Sequence, residues 1–189
     1  MDYIESIHFD EENFSIRYPE KAEYEQCIFT NCDFSGCNLS EFIFSECSFR
    51  DCNLSLVKTG NTAFRNIVFT DCKIIGVNFD HCNQFGIKMS FEGCLLDNSS
   101  FYNMKMPATQ FKKSRLHETD FTDCDLKKSA FDNCDLLKSV FANTNIENCD
   151  LSTSENFSID PGNNNIMKAK FSLTGLPGLL EKYGIEIIL

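Results

Sequence analysis

The sequence predicts an all-β fold, a parallel β-helix built from five-residue repeats. Two observations carry this. Large apolar residues recur at a period of five across most of the chain, and all eleven cysteines occupy one position of that repeat. A period of five matches neither a helix, at 3.6, nor a plain strand, at 2. It matches a short extended stretch followed by a corner. In extended chain the residues at i−2 and i point the same way and i−1 points oppositely. The pair i+1 and i+2 then turns the chain so that the next pair faces inward again.

The central residues begin Tyr24, Phe29, Phe34, Leu39, Phe44, Phe49, Leu54, Thr59, Phe64, Phe69, Ile74, Phe79 and Gln84. A two-residue slip falls between Gln84 and Leu96, around Gly86 and Gly93. The register then runs Phe91, Leu96, Phe101, Met106, Phe111, Leu116, Phe121, Leu126, Phe131, Leu136, Phe141, Ile146 and Leu151. Two places earlier stand Cys, Ser, Thr, Ala or Val, with Phe42, Ile67, Met89 and Met104 as bulkier exceptions. Right-angled corners would close a coil every four repeats, with coils about 4.8 Å apart. The recurrence of Cys32, Cys52 and Cys72 at twenty residues fits that closure, as does the alternation of Phe with smaller residues after Phe91.

The chain divides into three parts. Residues 1–21, with Phe9 and Phe14 in register, read as an irregular first coil or cap, and residues 22–172 are the repeat body. Asp160-Pro161-Gly162-Asn163 is a turn within the last coil. Residues 173–189 change pattern. Leu173 to Tyr183 reads as a short helix with Leu176, Leu179, Leu180 and Tyr183 on one side. Gly184 stops it, and Ile185-Glu186-Ile187-Ile188-Leu189 reads as a strand. This segment would cap the open coil. Its apolar residues, Ile185 and Ile187 among them, would also make it a homodimer interface.

Composition narrows the function. The formal charge is −11, and residues 1–51 hold 12 acids against 3 bases. Such a chain should not bind nucleic acid by neutralising phosphates, whereas a basic protein surface would be drawn to its N-terminal end. Assigning faces by repeat number gathers Glu41, Asp80, Asp120, Asp123 and Asp160 on one face, with Lys58 and His81 alongside. Lys105, Lys112, Lys113, Arg115, Lys127, Lys128 and Lys138 make a contrary basic region. Without a leader or a membrane-spanning run, a cytoplasmic location is expected.

An odd number of cysteines, spaced without Cys-x2-Cys pairs, argues for free thiols used as small buried groups rather than disulfides or zinc ligands. Stacked side chains keep a Cβ spacing of about 4.8 Å, beyond the roughly 3.5–4.5 Å a disulfide prefers. No nucleophile–base pair, phosphate loop or metal spacing occurs. No enzyme, cofactor or metal site is therefore expected.

Residues 22–171 resemble the pentapeptide-repeat family, which implies a right-handed quadrilateral β-helix. Gly86-Ile87-Lys88-Met89 is similar to the glycine-marked junction of its Qnr-type quinolone-resistance members. Leu179-Leu180-Glu181-Lys182-Tyr183-Gly184-Ile185-Glu186-Ile187 is similar to their C-terminal dimer module. The resemblance implies a DNA-shaped competitor that binds DNA gyrase or topoisomerase IV and can shield it from quinolones or peptide toxins. The chain departs from the protecting members in having no projecting loop between Phe91 and Leu151. A scaffold or immunity protein with a different protein partner is the other function open at this point.

Overall fold

A computed structural model describes residues 2–188. It is a parallel β-solenoid of about eight turns with four faces. The first face begins with β1 (Asp2–Glu5), on which Ala22–Glu25, Ile43–Ser45 and Ala63–Arg65 stack. The second begins with β2 (His8–Asp10) and continues through nine strands to Lys170–Phe171. The third and fourth faces are held by single bridges, such as Asn53↔Lys73↔Leu95↔Arg115↔Asp135 and Asn78↔Ser100↔Asp120↔Val140. Registers step by twenty residues, as in Phe29↔Phe49 and Phe111↔Phe131.

The corner explains the repeat chemistry. Residues two places after the centre hold a left-handed backbone along nearly the whole rod, from Gln26 (φ 51°) to Lys168 (φ 58°). Asn, Asp and Gly tolerate that region best, and they fill many of these sites. Asp or Asn just before the centre closes the corner from its side chain. Asp120 Oδ1 accepts from the Thr122 amide at 2.8 Å, and Asp33 Oδ1 from the Ser35 amide at 2.9 Å.

Inside, aromatic rings from the second and fourth faces meet edge to face. Phe91, Phe111 and Phe131 stack at 5.2 and 4.8 Å, and Phe79, Phe101 and Phe121 at 4.8 and 5.3 Å. Between the two columns, Phe111 and Phe121 lie 5.8 Å apart at 80°. Such offset and edge contacts add about 0.5–1.5 kcal/mol per pair beyond area burial. All eleven cysteines are buried and unbridged among the described residues.

The small position also does more than leave room. Its thiol or hydroxyl donates to a backbone carbonyl one coil below. Cys52 Sγ reaches Phe29 O at 3.4 Å, Thr62 Oγ1 reaches Leu39 O at 2.7 Å, and Thr144 Oγ1 reaches Phe121 O at 2.8 Å. Cys, Ser and Thr interchange there because each is both small and a donor.

Four expectations are refined or corrected. Residues 2–5, 8–10 and 13 pair in register with 22–25, 28–30 and 33, with Phe9 stacked on Phe29 at 4.9 Å and Phe14 on Phe34 at 4.6 Å. Residues 14–21 form no bridge among the described residues and leave the fourth side of this coil irregular. The slip lies within residues 84–88, since Ala63 pairs with Asn83 but Ile67 with Met89. Gln84 is accordingly exposed, and Ile87 takes the place against the core that Gln84 leaves. Gly93 is an ordinary corner, with φ 67°.

At the far end, the expected helix is two 3-10 segments, Leu173–Leu179 and Glu181–Tyr183. Pro177 in the middle cannot donate a helical hydrogen bond, and Gly175 and Gly178 press directly on Phe157. Residues 185–188 form no strand, because among the described residues no neighbouring strand pairs with them; Leu189 lies outside the described residues.

Candidate partner-binding surface

Of Glu41, Asp80, Asp120, Asp123 and Asp160, Asp120 lies on the fourth-face ladder, Asp80 follows Phe79 in a short turn, and Glu41 and Asp123 stand at left-handed corners two residues after Leu39 and Phe121. They are sparse. Asp80 stands two coils from Asp120, roughly 10 Å at the strand spacing. Two of the five are internally paired: Glu41 with Lys21 and Asp160 with Lys182. Those ammonium groups hold both carboxyls below the usual range. Asp123 occupies a left-handed corner (φ 58°). Asp80 sits in a short 3-10 turn, Phe79–His81, with its Oδ2 3.6 Å from His81 Nε2. Its Oδ1 is buried with no hydrogen-bond partner.

Four of the seven cations of the basic region are paired, while Lys105, Lys113 and Lys128 have no acidic partner within 4 Å among the described residues. Lys112 pairs with Glu92 at 3.0 Å, Arg115 with Asp97 at 2.5 Å, Lys127 with Glu147 at 2.8 Å and Lys138 with Glu118 at 3.6 Å. Each of these pairs joins adjacent coils. A spacing near twenty residues therefore converts like-charged stretches of sequence into ladders of alternating sign. His117, beside this region, donates from Nε2 to Asp135 Oδ2 at 2.5 Å.

The densest unneutralised charge lies elsewhere, on the first face near the N-terminal end. Glu5 stands directly beside Glu25, and Glu23 beside Tyr3, with Glu46 at the corner of the next coil. Among the described residues none of these glutamates has a cationic partner within 4 Å. The Tyr3 phenol registers the field: its hydrogen bond to Glu25, at 2.7 Å, together with the charges of Glu25, Glu5 and Glu23, pushes it up to about 12. Sorting acids by one face missed this group. The excess of acids in residues 1–51 was its signal.

The C-terminal segment presents Leu176, Leu180, Tyr183, Ile185 and Ile187 to solvent, while Leu179 is partly buried against the core. Leu180, Ile185 and Ile187 line a groove with Leu137, Phe157 and Pro177. Among the described residues no helix is long and apolar enough to cross a membrane. Nor do three or more His, Cys, Asp or Glu side chains there converge in a way that could hold a metal ion.

The family profile described as a pentapeptide repeat region matches residues 22–90 and 87–158. No curated protein gives a significant match. Among solved structures, a trypsin-treated variant of QnrB1, described as a plasmid-mediated fluoroquinolone resistance protein, superposes with a TM-score of 0.63 at 18% identity. That match covers 98% of this chain and 100% of the other. Full-length QnrB1 gives 0.55 at 19% identity over 97% and 100%. HetL, a pentapeptide-repeat protein involved in heterocyst differentiation regulation from the cyanobacterium Nostoc sp. strain PCC 7120, gives 0.51 at 15% identity over 90% and 85%. At these identities the likeness is one of fold.

Proposed function

The chain belongs to the pentapeptide-repeat family, and from that premise we propose that it acts by binding, as an acidic rod that competes with duplex DNA at a type II topoisomerase. The observation that carries this reading is a rigid stack of about eight coils with a net charge of −11 and an unneutralised glutamate group at one end. Eight coils at about 4.8 Å make a rod near 40 Å long, which holds its surface carboxylates on a fixed lattice. A cationic DNA-binding channel attracts such a lattice without bending it. B-DNA carries one charge per about 1.7 Å, so this chain matches the shape of DNA better than its charge density. Geometric fit and the acidic end supply the affinity in this reading, and a uniform phosphate-like field does not.

In this proposal the C-terminal segment joins two rods. Leu176, Leu179, Leu180, Tyr183, Ile185 and Ile187 form the interface, and the unpaired residues 185–188 gain a partner from the second copy. Burying that many apolar side chains offsets the cost of leaving them in water. The test is direct. Purified protein should inhibit DNA gyrase supercoiling or topoisomerase IV relaxation, and it should displace duplex DNA from the enzyme, with quinolone present and absent. No inhibition at tens of micromolar removes the reading.

A second reading has one observation in its favour. The same fold in HetL belongs to a protein involved in differentiation regulation, so the rod also suits a scaffold or immunity protein with another partner. Affinity capture that recovers a different protein, with the topoisomerases absent, would select it.

A further inference from the structure

We propose that the N-terminal end of the rod is a strand-accepting site for an extended peptide in which basic and apolar side chains alternate. The inference stands apart from the topoisomerase reading and rests on the geometry of the first coil. β1 and β2 are the edge strands of their sheets, each with a neighbour on one side only among the described residues. The ladder to the second coil uses Ser6 N–H to Glu25 O at 2.9 Å, Ile7 O from Ile28 N–H at 3.0 Å, and Glu11 N–H to Thr30 O at 3.0 Å. Backbone groups alternate sides along a paired strand. Those of Tyr3, Glu5, His8 and Asp10 therefore face the open end, where another strand could continue the ladder.

The two ends of the solenoid differ. The last coil is covered by the 3-10 segments seated on Phe157, whereas the first ends in Ile4, Phe9 and Phe14. Phe9 stacks on Phe29 on one side and has no ring on the other. With Glu12, Arg17, Tyr18, Pro19, Glu20 and Tyr24 these residues line an open groove of about 270 Å³, in which two acids outnumber the one cation. An added strand would point every second side chain inward over Ile4 or Phe9, which calls for apolar residues. The alternate side chains would lie outward beside Glu5 or Asp10, which calls for Lys or Arg.

Charge decides the occupant. Residues 2–21 carry six acids, Asp2, Glu5, Asp10, Glu11, Glu12 and Glu20, against Arg17 and Lys21. None of the six has a cation within 4 Å among the described residues, and Lys21 is taken by Glu41 of a later coil. A second copy meeting this edge head to head would bring two such groups together. The chain's own Ile185-Glu186-Ile187-Ile188 carries an acid and no base. Like-charged edges repel each other, which is how an exposed edge avoids self-association. A basic strand of another protein meets no such barrier.

The probe is acetyl-Lys-Ile-Lys-Phe-Arg-amide added to the whole protein, read by residue-resolved amide hydrogen exchange and by fluorescence anisotropy of a labelled copy. At saturation, exchange at Tyr3 and Glu5, or at His8 and Asp10, should slow at least tenfold. The same peptide N-methylated at alternate residues keeps its charge but cannot pair, and it should give no protection. A Glu-for-Lys/Arg peptide, and the wild-type peptide against a Glu5→Lys/Asp10→Lys protein, should each bind at least tenfold more weakly. Equal protection by the N-methylated peptide, or protection confined to other faces of the rod, overturns the proposal. Unchanged exchange at all four amides with millimolar peptide does the same, whether or not the double variant folds.

Discussion

Replacing Gly178 with Ala should unseat the C-terminal cap while leaving the coils beneath it intact. A methyl added at Gly178 would stand 2.1 Å from the Phe157 carbonyl oxygen and 2.9 and 3.0 Å from two of its ring carbons. The nearest of these is backbone, so the cap and not a flexible side chain must move. Overpacking of this kind costs about 1–3 kcal/mol. The displacement also removes the bond from Ile159 N–H to Gly178 O, 2.9 Å long, which contributes about 0.5–1.5 kcal/mol. Together they amount to about 1.5–4.5 kcal/mol, or roughly a 10- to 1,600-fold shift in the opening equilibrium of the cap.

A solenoid coil touches only its neighbours, so the penalty stays local. Amide exchange measured residue by residue should speed up at Ile159, Leu180, Tyr183 and Gly184 by about that factor. Ala130, whose amide donates to Thr109 O at 3.0 Å on the seventh of the nine strands of its face, should exchange as in the wild type. Gly184→Ala is the control. Its φ of 59° costs an L-residue about 1–2 kcal/mol, but among the described residues nothing lies within 4 Å of the added carbon. If the proposed dimer forms through this cap, sedimentation equilibrium should show Gly178→Ala dissociating at much higher concentration than Gly184→Ala. Unchanged cap exchange in Gly178→Ala, or equal acceleration at Ala130, would refute the reasoning.

Other expectations follow from the corner, the core and the charge ladders. Leu56 is exposed in a left-handed corner (φ 59°), so Leu56→Asn should raise stability by about 0.5–1 kcal/mol, seen as a Tm higher by about 1–4 °C; an unchanged or lower Tm contradicts it. Burial pushes the thiols of Cys47, Cys82, Cys124, Cys134 and Cys149 up to about 12. At pH 8 only about one in ten thousand of each is thiolate, so mass spectrometry after iodoacetamide should find them unmodified in native protein and fully modified after denaturation. Burial works against the charge of Asp135, yet the hydrogen bonds from Asn156, at 2.8 Å, and His117, at 2.5 Å, outweigh it and hold its carboxyl below the usual range. A depressed carboxylate contributes stability that is complete above its unfolded value of about 3.9 and is lost as pH falls through the folded one. Asp135→Asn should therefore lower Tm at pH 7 and flatten its fall below about pH 4; parallel Tm–pH curves would rule this out.

The period of five, the place of the cysteines and the alternation of Phe with Leu determined the fold by themselves. Each is a local rule, repeated at every coil, and local rules are what a sequence displays openly. Three things needed the tertiary structure. Lys112 and Glu92 are twenty residues apart, and only stacking brings them to 3.0 Å and neutralises that part of the basic region. Glu5 and Glu25 become neighbours for the same reason, although they belong to different coils. The terminal segment gave way to Phe157, because a helix-like pattern in sequence does not include the surface it must fit. Charge and capping depend on distances between coils, and no run of consecutive residues contains those distances.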